Sequence, residues 1–361
     1  MKLYKSLSLQ QTADLIAAIG SKQTVLAQGE MGIGKSSILK MLKAKPEFKD
    51  YFFCYVDITT KDVGDFVVPK IRTIDGVEVC SFIPNEEFGL HFKDKKVVMM
   101  LDELGKAKGG VMNACLRLMQ EGALGTYVKH EDSIIFSTTN KSIEGVGDVV
   151  PPHARNRLVQ VNVRKPNAQE LMEYAINANW NPIIVATINE FPDMLASFED
   201  YEKPEQNVYI NDPRTVRNAF VTPRSLDKAG YILDKTMILG EDIMCHALAG
   251  TVGEPAMHNI LTMVKLDNQL VSWDELIKSP TTVSVPNNGA ASCMLVAKAV
   301  QRIEKSTMNA FMEFLPRLSK EAQGLFARTV MTNNCPKRDV AATNTKFATW
   351  AADNNYLFAK K

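Results

Sequence analysis

The chain has 361 residues, room for two or three domains, and at 45% apolar and 23% charged residues it has a globular make-up. A net charge of +1 leaves no global field to draw it onto nucleic acid or an anionic membrane. The six cysteines (Cys54, Cys80, Cys115, Cys245, Cys293, Cys335) show no C-x-x-C spacing, so no zinc site is legible and a reducing compartment is expected. Gln10, Gln11 and Asp14 deny the N-terminal stretch the apolar core of a signal peptide. No apolar run approaches the ~20 residues of a membrane span, so the expectation is a cytoplasmic protein with no membrane partner.

In chain order, Ser8-Leu9-Gln10-Gln11 has capping-box spacing and opens a helix through Ile19, closed by Gly20. TVLAQ (24–28) is β-rich and leads into a glycine-rich loop, after which SSILKMLKA (36–44) has helical period. YFFCYVDI (51–58), KVVMMLD (96–102) and SIIFSTTN (133–140) read as buried strands. Asp75-Gly76 centres a hairpin over 70–82, and GGVMNACLRLMQE (109–121) reads as a helix. Short apolar strands alternating with helices predict an α/β fold, a parallel sheet with helices on both faces. Beyond Pro166 the patterns turn helical at 167–180 and 181–195, with a polar interruption at 199–215. Thr222-Pro223 starts another helix, with threonine at the N-cap and proline at N1. From about residue 240 onward the reading is mostly helical, clearest at 289–303 and 309–331.

Gly29-Glu30-Met31-Gly32-Ile33-Gly34-Lys35-Ser36 fits G-x-x-x-x-G-K-[ST] between a strand and a helix. Glycines let backbone N–H groups converge on an oxyanion without Cβ clashes. Lys35 is expected to reach the β/γ-phosphates and the Ser36 hydroxyl to ligate Mg²⁺, with Ser37 next in the nucleotide-binding segment. A P-loop NTPase also needs a carboxylate on a neighbouring strand for its Mg²⁺. VVMMLDE supplies one, since Asp102 emerges at the carboxyl end of an apolar strand, where ligands bind in open α/β sheets. Glu103, the next residue, suits the polarising of water as general base. The plainer alternative is an acidic pair that caps the following helix. Asn140, at the end of FSTTN, suits holding the attacking water, although a turn-forming asparagine is an equal reading.

The order GEMGIGKS, VVMMLDE, FSTTN, ARNRL, TPRS resembles the AAA+ ATPases of the MoxR-like branch, related to magnesium chelatase, midasin and dynein, over roughly residues 8–236. The first two motifs are specific to P-loop NTPases, the later three only through their order. VMNACLRLMQEGAL is similar to the helix and turn that precede a hairpin in this branch, and the hairpin at 70–81 falls where relatives carry an insert facing the ring's pore. The resemblance implies a nucleotide-binding domain at 1–165, a helical lid at 166–240, a helical region at 241–361, and ATP as the nucleotide. In ARNRL it implies that Arg157 is the arginine finger completing a neighbour's site, with Arg155 assisting or pairing with a carboxylate. A guanidinium suits charge developing on γ-phosphoryl oxygens, and the plain alternative for both is surface ion pairing. Arg224, in Thr222-Pro223-Arg224, resembles the lid arginine that grips the same nucleotide, with Arg214 and Arg217 nearby as rivals. The loop departs from relatives at Glu30-Met31, where proline is frequent, but the glycines are intact.

The leading expectation is a ring-forming ATPase, a homo-oligomer and in particular a hexamer, that turns hydrolysis into remodelling of a protein partner in chaperone-like fashion. A partner carrying a von Willebrand factor A domain is implied by resemblance alone. A second reading is a DNA-associated motor or loader, in which Lys129 and His130 line a pore. The net charge does not indicate nucleic acid. A third is a nucleotide-gated scaffold with slow hydrolysis, disfavoured by the presence of Glu103 and Arg157.

Overall fold

A computed structural model describes residues 6–91, 94–144, 150–333 and 335–358, with the side chains of His153 and Pro204 left out of the description. Contacts divide the chain into two units, Met1–Lys165 and Pro166–Lys361.

In the first unit α1 (Leu9–Ile19) starts in a reciprocal cap: Ser8 Oγ accepts from the Gln11 N–H at 3.1 Å and Gln11 Oε1 accepts from the Ser8 N–H at 2.9 Å. Gly20 ends this helix in right-handed backbone, so it is glycine for room. A Cβ there would lie 2.5 Å from the Ile16 carbonyl oxygen and 2.7 Å from Ile134 Cγ2. There follow β1 (Val25–Gly29), α2 (Ser37–Lys43), β2 (Phe52–Asp57), β3 (Val67–Ile74), β4 (Val77–Pro84), β5 (Val97–Asp102), α3 (Gly109–Glu121), β6 (Ala123–Leu124), β7 (Tyr127–Val128), β8 (Ile134–Thr139), α4 (Pro152–Arg155) and β9 (Val159–Val163).

Five strands form one sheet in the order β2-β5-β8-β1-β9, parallel at every pairing. The unbroken apolar run of β5 has a direct cause. Val98 and Met100 join Ala13, Ile16 and Ile38 from α1 and α2 in one core. Met99 and Leu101 join Val111, Cys115 and Leu118 of α3 in another. Both faces are buried, so both parities of the strand must be apolar. Burial pushes the Cys115 thiol up to about 12, so at neutral pH it serves as a small apolar group. Strands β3 and β4 pair antiparallel as a separate ribbon, turning at Asp75 and Gly76 with φ of 51° and 80°, as a two-residue hairpin requires.

In the second unit the helices are α5 (Ala168–Asn177), α6 (Pro182–Glu190), α7 (Pro223–Leu233), α8 (Thr236–Leu239), α9 (Glu241–Val252), α10 (Glu254–Asp267), α11 (Trp273–Lys278), α12 (Gly289–Arg302), α13 (Met308–Phe314), α14 (Lys320–Val330), α15 (Arg338–Ala342) and α16 (Thr345–Asp353). One apolar cluster runs from Leu171 to Phe347, so residues before and after 240 share a core. The helix expected across 309–331 is two helices. Pro316, which has no N–H to donate, sits in a 3₁₀ turn after α13, and Ser319 Oγ then caps α14 by accepting from the Ala322 N–H at 3.3 Å. No described helix is long and apolar enough to cross a membrane.

Candidate functional site

The candidate site lies where β1, β5 and β8 end. Their side-by-side parallel register brings three loops to one edge of the sheet, the place where open α/β folds bind ligands. Gly29 ends β1 because nothing larger fits: a Cβ would lie 2.7 Å from Ile33 Cδ1 and 2.8 Å from the Val163 carbonyl oxygen. Gly32 and Gly34 carry φ of 72° and 97°, backbone that favours glycine and that curls the loop. Lys35 follows, buried, and its ammonium donates to the carbonyls of Gly29 and Glu30, each at 2.9 Å. Ser36 ends the loop at the N-cap of α2, with Ser37 as the first helical residue. The Ser36 hydroxyl makes no capping bond.

The Lys35 ammonium also donates to Asn140 Oδ1 at 2.7 Å. The Asn140 amide donates in turn to both oxygens of Glu103, at 3.1 and 2.9 Å. Lysine, asparagine and glutamate, far apart in sequence, thus form one hydrogen-bonded chain across three strand ends. Lys106 lies 3.1 Å from the Glu103 carboxylate on the other side. Glu103 has φ 60° and ψ 40°, left-handed backbone that costs a non-glycine residue on the order of 1 kcal/mol or more. Here the acidic pair does not cap a helix through its side chains: Glu103 makes no side-chain capping bond and α3 starts only at Gly109.

Asp102 is held at both oxygens. Thr138 Oγ1 and the Glu103 N–H donate to Oδ1, and the Tyr55 hydroxyl donates to Oδ2 at 2.8 Å. Thr138 and Tyr55 were not singled out in the sequence. Their signal is positional, since β2 and β8 flank β5 in the sheet.

A second charged group lies behind the loop. Glu30, buried, pairs with Lys165 at 2.8 Å and with Lys141 at 3.8 Å. Glu144, on the turn Ser142–Glu144 after β8, accepts from the Met31 N–H of the loop at 3.0 Å. Burial and the neighbouring Glu30 raise the Glu144 carboxyl to about 7, against opposing pulls from Lys35, the Met31 N–H and Lys165. Neither Glu144 nor Lys165 is legible from local pattern, because each acts through a partner distant in sequence.

The arginines are placed differently. Arg157, exposed after α4, donates to Gln120 Oε1 at 3.0 Å, and Arg155 is exposed on the last turn of α4. Arg224 is exposed on the first turn of α7, behind the Thr222 cap, whose Oγ1 accepts from the Ser225 N–H at 3.0 Å. Its rivals are spent on the fold. Arg214 forks onto buried Asp212, at 2.8 Å from Nε, and holds that carboxyl below its usual range; it also donates to the carbonyls of Tyr201 and Glu202. Arg217 donates to the Ile210 carbonyl at 3.0 Å. The pore-lining place expected for Lys129 in the DNA reading is not what the fold gives it: its ammonium turns inward and donates to the Ser133 carbonyl at 2.9 Å. Burial and nearby Lys22 lower its pKa.

The parallel five-stranded sheet, the glycine loop closing on a buried lysine, and the Asp-Glu pair at the end of β5 together make an α/β fold with a P-loop at its strand ends. No family model matches the chain, and no curated protein matches it. Among solved structures it has a likeness to NtrX of Brucella abortus, at 15% identity and a TM-score of 0.34, over 96% of this chain and 69% of NtrX. The same protein with ATP bound matches at 13% identity and 0.34, over 99% and 70%. A RuvB variant of Thermotoga maritima matches at 12% identity and 0.36, over 84% and 90%.

Proposed function

We propose that the chain is an ATPase of the AAA+ type, of the MoxR-like branch, that works as a ring of its own copies, a hexamer, to remodel a protein partner. The observation that carries the ATPase reading is the linkage of Lys35, Asn140 and Glu103 across three strand ends. Lys35 neutralises the phosphate chain, with the loop from Gly29 to Ser37 wrapping it. Glu103 polarises the attacking water and Asn140 orients it. The hard oxygen donors Ser36 Oγ and Asp102 fit Mg²⁺, which takes one or two protein oxygens and completes its shell with phosphate and water. When bound, that ion would supply charge neutralisation at the phosphates. Tyr55 and Thr138 fix the Asp102 carboxylate in orientation.

Glu103 is held by Asn140 and Lys106. An incoming phosphate competes for the Lys35 ammonium, loosens its bond to Asn140 and so frees the carboxylate. This contact set supports slow turnover in the isolated subunit. The exposure of Arg157 and Arg224 supports their roles as the finger offered to a neighbour's nucleotide and the lid arginine. A partner with a von Willebrand factor A domain and a cytoplasmic setting remain part of the same reading.

The test is turnover per subunit against protein concentration, with Arg157→Ala and Lys35→Ala measured alone and mixed. Assembly-dependent activity should rise with concentration. Mixing should partly restore turnover, because each variant supplies the half-site the other lacks. No recovery at any ratio would refute the shared pocket.

A further inference from the structure

Around Met31 the phosphate loop already holds a carboxyl group of its own. We propose that Glu144 competes with phosphate at this site: it takes a loop N–H beside the terminal-phosphate position, and a nucleoside triphosphate binds by displacing it. The inference rests on the nucleotide-binding reading above and deepens it.

Three observations carry the proposal. First, Glu144 Oε2 accepts from the Met31 N–H at 3.0 Å, and that N–H belongs to the loop that would wrap phosphate. Second, the Lys35 ammonium lies at the same end of the loop, on the carbonyls of Gly29 and Glu30, and it is the group expected at the β/γ-phosphates. Third, Glu144 follows Asn140 by one short turn, and Asn140 is the residue that holds Glu103.

The charged groups facing Glu144 are Glu30 and Lys35 from the loop and Lys165 from the end of β9, with Lys141 of its own turn paired to Glu30. Glu30 and Glu144 together offset much of the lysine charge that would attract phosphate. With its carboxyl raised to about 7, Glu144 is largely neutral at pH 6 and charged at pH 8. A neutral carboxyl competes less well for the lysine-rich corner than a carboxylate does, so triphosphate binding is expected to be easier on the acid side.

The experiment is calorimetric titration of the full chain, wild type and Glu144→Gln, with a non-hydrolysable ATP analogue and separately with ADP, at pH 6 and pH 8. Lys35→Ala serves as control. The amide is isosteric and keeps an acceptor for Met31, so the fold should survive. At pH 8 the variant should bind the ATP analogue about tenfold tighter than wild type, the size of one unit of electrostatic coupling. For ADP the two proteins should agree within about twofold, since the missing phosphate is the one in competition. The gap for the analogue should close at pH 6. Titration of the nucleotide itself is common to both proteins and cancels in the ratio.

A thermal melt gives an independent readout. The folded carboxyl titrates above its unfolded value, so wild type loses stability as pH rises from about 4.5 to 7, and the variant does not. The variant should therefore melt above wild type at pH 8 and level with it at pH 4. Equal affinities of the two proteins for both nucleotides at both pH values, with Lys35→Ala abolishing binding, would overturn the competition by Glu144 and leave the nucleotide reading standing. Absence of nucleotide binding by either protein, or binding indifferent to Lys35→Ala, would sink the nucleotide reading and this inference with it.

Discussion

In the first unit the polar side chains gather at the carboxyl ends of β1, β5 and β8, held in mutual hydrogen bonds with a strained backbone at Glu103. In the second, Ser319 restarts α14, Thr222 starts α7, Arg214 ties the carbonyls of Tyr201 and Glu202 to Asp212, and Arg328 of α14 pairs with Glu173 of α5. Polar side chains thus converge on one edge of the sheet in one unit and are spread over helix starts and loops in the other. Site residues of the first unit bond to each other across separate elements, whereas Thr222 and Ser319 bond to backbone within their own turn. Arg214 shows why residue type alone misleads: it is exposed, as Arg224 is, yet its guanidinium is forked onto buried Asp212.

The contrast can be broken by substitution. The largest effect is expected at Arg157: its replacement by alanine should lower turnover about 10³- to 10⁵-fold with nucleotide affinity nearly unchanged, as for a finger that acts on the transferring phosphoryl group. Stopped-time phosphate release beside equilibrium binding checks it, and an equal loss in both would reduce Arg157 to a binding residue. In the second unit Phe326 is fully buried, 5.0 Å from the ring of Phe311 and 6.1 Å from that of Phe347. Phe326→Ala should cost about 3–5 kcal/mol by denaturant unfolding. At a temperature where the variant stays folded, its nucleotide affinity should match wild type. A parallel collapse of affinity would erase the division between the units. The smallest effect is at Tyr55: Phe in its place keeps the ring and removes the bond to Asp102 Oδ2. The Mg²⁺ concentration for half-maximal turnover should rise by about tenfold or less. An unchanged Mg²⁺ requirement would leave Tyr55 with packing alone.

What could be read in advance follows the same division. The strand β5 and the emergence of Asp102 were legible because burial on both faces forces an apolar run, and its first polar residue then stands out. The loop from Gly29 to Ser36 was legible because phosphate wrapping needs glycine at fixed spacing. The hairpin at Asp75-Gly76 was legible from the positive φ that its turn demands. The break between α13 and α14 was missed although Pro316 and Ser319 stand in the sequence, because the apolar period continues across them. Glu30, Lys165 and Glu144 were not legible as a group. Their meeting depends on where β8 and β9 end relative to β1, a fact of topology rather than spacing. Lys129 misled for the opposite reason: a lysine on a hairpin looks exposed until its stem folds over Gly122 and its head meets main-chain carbonyls.

The most direct test of the account is ATP turnover by Glu103→Gln against wild type, with analogue binding measured on the same preparations. The amide keeps the shape of the side chain and can still meet Asn140, but it cannot take a proton from water. The account predicts unchanged binding and turnover lower by about 10²- to 10⁴-fold. Hydrolysis by the variant at the wild-type rate would contradict it, because Glu103 would then have no part in activating the water.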